Sequence, residues 1–123
     1  GLTMQDCLFC RIVRGEIPSK KVYEDDDILA FHDIRPQAAV HFLIIPKTHV
    51  DSLYEADMSH QRVLGKMLAL AGELARKEGA RDGFRTIINT GRVGNQEVYH
   101  LHIHVIAGPE PLGPMVQRKR QEV

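Results

Sequence analysis

Tyr99-His100-Leu101-His102-Ile103-His104-Val105-Ile106-Ala107 is the stretch that decides how this chain is read. Histidines alternate with Leu101, Ile103 and Val105, and these mostly β-branched partners give the period of two of a half-buried strand. His100, His102 and His104 then project from one face, with successive rings roughly 6.5–7 Å apart along a strand that rises about 3.3 Å per residue. A single histidine on a strand usually serves a nearby carbonyl. Three in strict alternation, on the most apolar run of the C-terminal half, point to a shared pocket. Imidazole has the side-chain pKa nearest neutrality, so the row suits nucleophilic, acid–base or ligand roles. His-x-His on a strand also commonly offers two ligands to zinc. The row alone therefore leaves catalysis and metal binding both open.

Working back from that strand, residues 84–89 read as another. The loop between them, Thr90-Gly91-Arg92-Val93-Gly94-Asn95-Gln96-Glu97, is of the kind that can turn backbone N–H groups toward a phosphate. Asp57 or Ser59 can cap one long helix that runs to about Glu78. On it Leu64, Met67, Leu68, Ala71, Leu74 and Ala75 form an apolar stripe that serves as core or as a subunit contact. Gly79 ends the helix. Residues 20–24, 28–33 and 41–45 read as three further strands, with Pro46 as a stop. Asp25-Asp26-Asp27 is a solvated hairpin turn, because it lacks the glycine and distal glutamate of a calcium loop.

Cys7-Leu8-Phe9-Cys10 opens a short amphipathic segment, residues 7–14, of one or two helical turns that Gly15 ends. In a cytosolic protein such a pair suggests zinc or redox chemistry before a disulfide; no thioredoxin-like βαβ pattern surrounds it, and on the pair alone inert thiols stand beside zinc as the alternative. Downstream, Gly108-Pro109 breaks the last strand and Arg118-Lys119-Arg120 reads as a mobile, solvated end. Gly1-Leu2-Thr3, ahead of Met4, carries no weight in the fold reading. Five strands, one long helix and one short one give an α+β domain with a mainly antiparallel sheet. It is a single domain over 1–123, with its core at about 7–108 and a C-terminal tail at 109–123.

Hydrophobic content of 43% and charged content of 26% are ordinary globular values and argue against disorder. Lys+Arg and Asp+Glu balance at 16 each, so no net field draws nucleic acid or an anionic membrane. No apolar run approaches the roughly 20 residues that span a bilayer, and no secretory h-region opens the chain. The expectation is a soluble, cytoplasmic protein with no nucleic-acid or membrane partner.

Val98-Tyr99-His100-Leu101-His102-Ile103-His104-Val105 resembles the signature of the histidine triad (HIT) proteins. Phe31-His32-Asp33-Ile34-Arg35-Pro36-Gln37-Ala38, His41-Phe42-Leu43-Ile44-Ile45-Pro46-Lys47, Asn89-Thr90-Gly91 and Gln96-Glu97-Val98-Tyr99 resemble further blocks of its Hint branch, the purine-nucleotide-binding phosphoramidases. The resemblance runs from about Cys7 to Met115. It implies a HIT-like fold, and a homodimer whose two sheets join into one of ten strands. It also implies hydrolysis of the P–N bond of adenosine 5′-monophosphoramidates, with acyl-adenylates as further substrates. The route would be a nucleotidyl-histidine on His102, with no cofactor required for catalysis. His104 would contact the phosphate, His41 would support the set across the sheet, and His100 would complete it.

By the same resemblance Phe31, His32, Asp33 and Ile34 match the nucleoside-binding run, with Asp33 on the ribose hydroxyls. Ile17 falls at a family contact position, and Phe9 and Leu43 are further walls for the base. Asn89, Gln96 and Val98 match positions lining the α-phosphate site. Glu97 stands where many Hint proteins of higher organisms place a serine, and Asn95 where glycine is usual. A carboxylate repels a phosphate, so Glu97 is expected to shape leaving-group preference; bacterial-type members commonly carry Glu there. Members with a similar cysteine pair bind zinc through it, the histidine after Pro-Lys-x and the first triad histidine. That implies a structural zinc on Cys7, Cys10, His49 and His100, and leaves His100 between ligand and active-site residue.

Three rivals belong to other classes. A dinucleoside polyphosphate hydrolase is the sister activity, but its usual glutamine near the last triad positions is not apparent, since Ile106 and Ala107 follow Val105. A non-catalytic nucleotide-binding regulator would bind without forming a nucleotidyl-enzyme. A zinc-structural interaction module would lose its fold on chelation.

Overall fold

A computed structural model describes residues 6–116. The readings of Gly1-Leu2-Thr3 and of the Arg118-Lys119-Arg120 tail lie outside those residues. The chain runs α1 (Leu8–Val13), β1 (Lys21–Glu24), β2 (Ile28–His32), β3 (Val40–Pro46), a 3-10 turn (Met58–His60), α2 (Gln61–Lys77), β4 (Arg85–Ile87) and β5 (Ile103–Ala107). The five strands form one antiparallel sheet in the order β1-β2-β3-β5-β4. The α+β class and the five-stranded antiparallel sheet are as the sequence reading expects.

Alternation along β2 and β3 explains the layering. Ile28, Ala30, Phe42 and Ile44 share a core with Met67, Ala71, Leu74 and Ala75 of α2 and with Leu101, Ile103 and Val105. Leu29, Phe31, Leu43 and Ile45 face the other way, against Cys7, Phe9, Cys10 and Ile12 of the α1 segment. Both strands are therefore covered on both sides, which is why they read as continuous apolar runs. Along residues 100–104, leading into β5, the α1 side carries imidazoles instead of apolar groups. That substitution opens the site.

Local chemistry fixes the element ends. Asp57 accepts the Ser59 N–H at 2.8 Å while His60 Nδ1 accepts the Asp57 N–H at 3.0 Å, a reciprocal cap. Gly79 terminates α2 at φ 98°, a left-handed conformation that suits glycine. In the β1–β2 turn Asp25 accepts the N–H groups of Asp27 and Ile28 and pairs with Lys66 of α2 at 2.6 Å. The acidic run is thus a turn tied to the helix.

Two strand boundaries and one packing position differ most from the sequence reading. Regular pairing of the histidine strand begins at Ile103, not Tyr99. Its ladder with β3 ends at Ile103–Ile44, and Pro46 farther along β3 has no N–H to extend it. The Pro46 carbonyl instead takes the His100 ring N–H at 2.7 Å, and the Leu101 N–H goes to the Val50 carbonyl, also 2.7 Å. The strand expected over residues 84–89 is three residues long. Leu68, expected on the buried stripe, is 53% exposed, because the covered face of α2 is centred on Met67, Ala71 and Leu74. Among the described residues no helix is long and apolar enough to cross a membrane.

Candidate active site

The three histidines lie on the α1 side in sequence order, but they do not do the same thing. The His102 ring sits 5.0 Å from that of His104, centre to centre, and 5.2 Å from Phe9, which meets it edge-on. His41 comes from β3, two pairs along from the Leu43–His104 pairing and so on the same face, and its Nε2 lies 2.9 Å from His104 Nδ1. His100 is fully buried and its Nδ1 turns toward Cys7, Cys10 and His49.

Hydrogen-bond partners dictate each tautomer. The carbonyl of His100 can only accept, so His102 Nδ1, 2.7 Å away, carries the proton and its Nε2 holds a bare lone pair. The Gln37 backbone N–H donates to His41 Nδ1 at 3.0 Å, so His41 Nε2 carries the proton and donates to His104 Nδ1. His104 Nε2 is then an N–H donor. The pair presents one bare nitrogen and one donor.

Burial lowers the pKa of His41, His102 and His104, the last to about 4, where neighbouring His102 and His41 add to the effect. Asp33 opposes it at all three, and Glu97 also at His102. All three are neutral at pH 7. Because their protons bind more readily to the unfolded chain, stability falls as pH drops below the unfolded value of about 6.5. Thermal scans should show a midpoint that declines steadily from pH 7 toward pH 4, and a flat profile over that range would contradict the neutral buried set.

The cleft over these rings has a volume of about 670 Å³, within the range of small-ligand sites. Phe9, Ile12, Ile17, Phe31, Leu43 and Val98 supply apolar lining, and Asp33, His41, Asn89, Asn95, Glu97, His102 and His104 polar lining; His32 and Ile34 also border it. The His32 ring, however, is tied to Glu78 just beyond α2 at 3.0 Å, and Ile34 is 92% exposed. Gln96 does not line the cleft. Its side chain accepts the Gly91 N–H and donates to the carbonyls of Asp51 and Val98, pinning the loop from within.

Beside the cleft, Cys7, Cys10, His49 and His100 bring one ligand atom each to within 4.8 Å of one another. Cys7 Sγ and Cys10 Sγ lie 3.4 and 3.5 Å from His100 Nδ1, and His49 Nδ1 lies 3.2 Å from both Cys10 Sγ and His100 Nδ1. A tetrahedral zinc, about 2.3 Å from sulfur and about 2.0–2.1 Å from nitrogen, sets edges of roughly 3.3–3.8 Å. The cluster fits that figure. His100 gives its Nε2 proton to Pro46 and His49 gives its own to Asp51, so both Nδ1 lone pairs face the centre with their outer partners in place. Without a cation, burial and the adjacent Cys7 push the Cys10 thiol up to about 11.

The HIT domain family model matches residues 14–110. This chain belongs to the HIT family. Among its relatives are protein HitA of Neisseria gonorrhoeae, 51% identical over 86% of this chain and 99% of that protein, and the purine nucleoside phosphoramidase of Escherichia coli K12, 47% identical over 94% and 97%. The crystal structure of a HIT family hydrolase from Legionella pneumophila superposes with a TM-score of 0.84 at 44% identity, covering 89% of this chain and 98% of that one.

In this HIT domain the structure separates the triad expected from the sequence into two groups. His102, His104 and His41 meet at the cleft, whereas His100 joins the cysteines and touches His102 through its carbonyl. Sequence reasoning missed Asp51 behind His49, although His-x-Asp across a turn is a readable hint. It also missed the Pro46 and His100 carbonyls and the Gln37 amide. Those are backbone groups, and no side-chain pattern announces them.

Proposed function

We propose that this HIT domain is a purine nucleoside phosphoramidase that cleaves the P–N bond of adenosine 5′-monophosphoramidates and also takes acyl-adenylates. The observation carrying this reading is the bare Nε2 of a neutral His102 beside the His104 N–H donor, in a cleft of nucleotide size. Nε2 attacks phosphorus, the P–N bond breaks, and the departing nitrogen takes a proton from water and leaves as the amine. A second water then attacks phosphorus, loses a proton to solvent, and releases the nucleoside monophosphate and His102. Dividing one displacement into two lowers each barrier. His104 Nε2–H stabilises the phosphoryl oxygens as they gain charge.

Phe9, Ile17, Phe31 and Leu43 hold the base, Asp33 the ribose hydroxyls, and Asn89 with the 90–98 loop the α-phosphate. Glu97 lies on the same lining as His102 and favours a leaving group that tolerates a carboxylate. A zinc held by Cys7, Cys10, His49 and His100 would supply structure. Four protein ligands leave it no open position for chemistry. Two such domains pair through their sheets as a homodimer in the cytoplasm.

The test is a turnover assay with tryptamine and lysine adenosine phosphoramidates, run with and without chelator. Amine and AMP should be released in equal amounts after formation of a nucleotidyl-enzyme. Tight AMP binding with neither turnover nor nucleotidyl-enzyme would overturn the proposal in favour of a regulator.

A further inference from the structure

We infer that the backbone amide of Gln37, in the loop between β2 and β3, is a positioning group that sets the hydrogen-bonding polarity of the site from outside it. The inference rests on His104 acting as donor in the reading above. Its starting point is a cluster whose obvious interpretation fails. Asp33, His41 and His104 bring ligand atoms within metal-binding distance of one another. Yet the Gln37 N–H donates to His41 Nδ1 at 3.0 Å, so a neutral His41 must carry its proton on Nε2. That Nε2 is the atom facing both His104 Nδ1, at 2.9 Å, and Asp33 Oδ2, at 3.5 Å. A nitrogen holding a proton offers no lone pair to a cation. The cluster is a directed relay.

Its direction follows one donor at a time. The Gln37 amide gives to His41, His41 gives to His104, and His104 is left with Nε2–H as its outward group. Were the Gln37 proton missing, His41 could take the other tautomer, with Nδ1–H and a bare Nε2. His104 Nδ1 would then have to carry the proton, and His104 Nε2 would meet the phosphoryl oxygens as a lone pair. The backbone amide of one loop residue, acting with the Asp33 carboxylate that faces His41 Nε2, thus decides whether the ring beside the nucleophile attracts or repels the reacting group. The loop is built to hold that amide. Asp33 Oδ1 accepts the Arg35 N–H at 2.8 Å, the Gln37 side chain donates to the Arg35 carbonyl at 3.1 Å, and the Asp33 N–H bonds the His41 carbonyl at 3.1 Å.

Gln37→Pro removes the N–H, whereas Gln37→Ala keeps it. Imidazole nitrogens that carry a proton and those that do not are resolved by ¹⁵N NMR, independently of any assay. In the parent protein and in Gln37→Ala, His41 should show its proton on Nε2 and His104 on Nε2. In Gln37→Pro the His41 proton should move to Nδ1, and kcat should fall at least about 100-fold, the lower side of the usual loss for one transition-state donor, with KM changing less. A parent spectrum with His41 protonated on Nδ1 overturns the inference, even if Gln37→Pro fails to fold. So does Gln37→Pro with unchanged tautomers. Shifted tautomers with unchanged kcat would leave the relay standing and instead sink the donor role of His104.

Discussion

Replacing His102 with glycine should reduce turnover of an adenosine phosphoramidate by roughly 10⁴-fold or more, the scale seen when a covalent nucleophile is removed, while AMP affinity changes only a few-fold. The asymmetry follows from the geometry. The nucleotide would be held by the apolar walls, Asp33 and the 90–98 loop, none of which needs the His102 ring. On the proposed mechanism the ring would supply only the atom that forms the bond. His102 is 6% exposed and meets Phe9 on one side and His104 on the other, so glycine leaves a space the size of an imidazole. Addition of free imidazole should restore part of the rate. Steady-state kinetics and calorimetric AMP titration read the two effects separately. Turnover undiminished in the variant would remove His102 as nucleophile, and AMP binding lost with it would mean that the ring mainly builds the pocket.

The second large effect is expected at the cysteine–histidine cluster. Purified protein should carry one zinc per chain, and Cys10→Ala or strong chelation should lower the melting midpoint by about 10 °C or more. Structural zinc sites contribute several kcal/mol or more to folding, and about 1 kcal/mol shifts the midpoint by several degrees in a domain of this size. The cluster joins the α1 segment to the end of β3 and to the approach of β5. Activity should fall as well, since the carbonyl that fixes the His102 proton belongs to His100, itself a member of the cluster. Metal analysis alongside differential scanning calorimetry tests both halves. Metal-free protein with the same midpoint would leave Cys7 and Cys10 as packing residues.

Much of this was legible in the sequence, for identifiable reasons. The period of two around His100, His102 and His104 announces a strand with one chemical face, and the i, i+4, i+7 spacing of Met67, Ala71 and Leu74 announces α2. Both signals come from side chains repeating at a fixed interval. What was not legible depends on single backbone groups. The histidine strand starts four residues late because Pro46 cannot extend the ladder and because the Leu101 amide bonds Val50. Gln96 looks like a phosphate contact by position, but its amide serves two backbone groups of its own loop and the carbonyl of Asp51. His32 sits in the nucleoside run, yet alternation along β2 turns its ring toward Glu78. The division of the triad between cleft and cluster was visible as a tension over His100, and the coordinates place its ring with the cysteines.

The double covering of β2 and β3 has a consequence for how the molecule moves. Amides in these two strands are flanked by partners in the plane of the sheet and by packed side chains above and below it. They should be the last to exchange with deuterium. His41 and Leu43 ride on that slowest element, whereas Phe9 and Ile12 belong to a six-residue helix packed on its face. Substrate therefore enters against a stationary floor, and any breathing that admits it belongs to the α1 segment above.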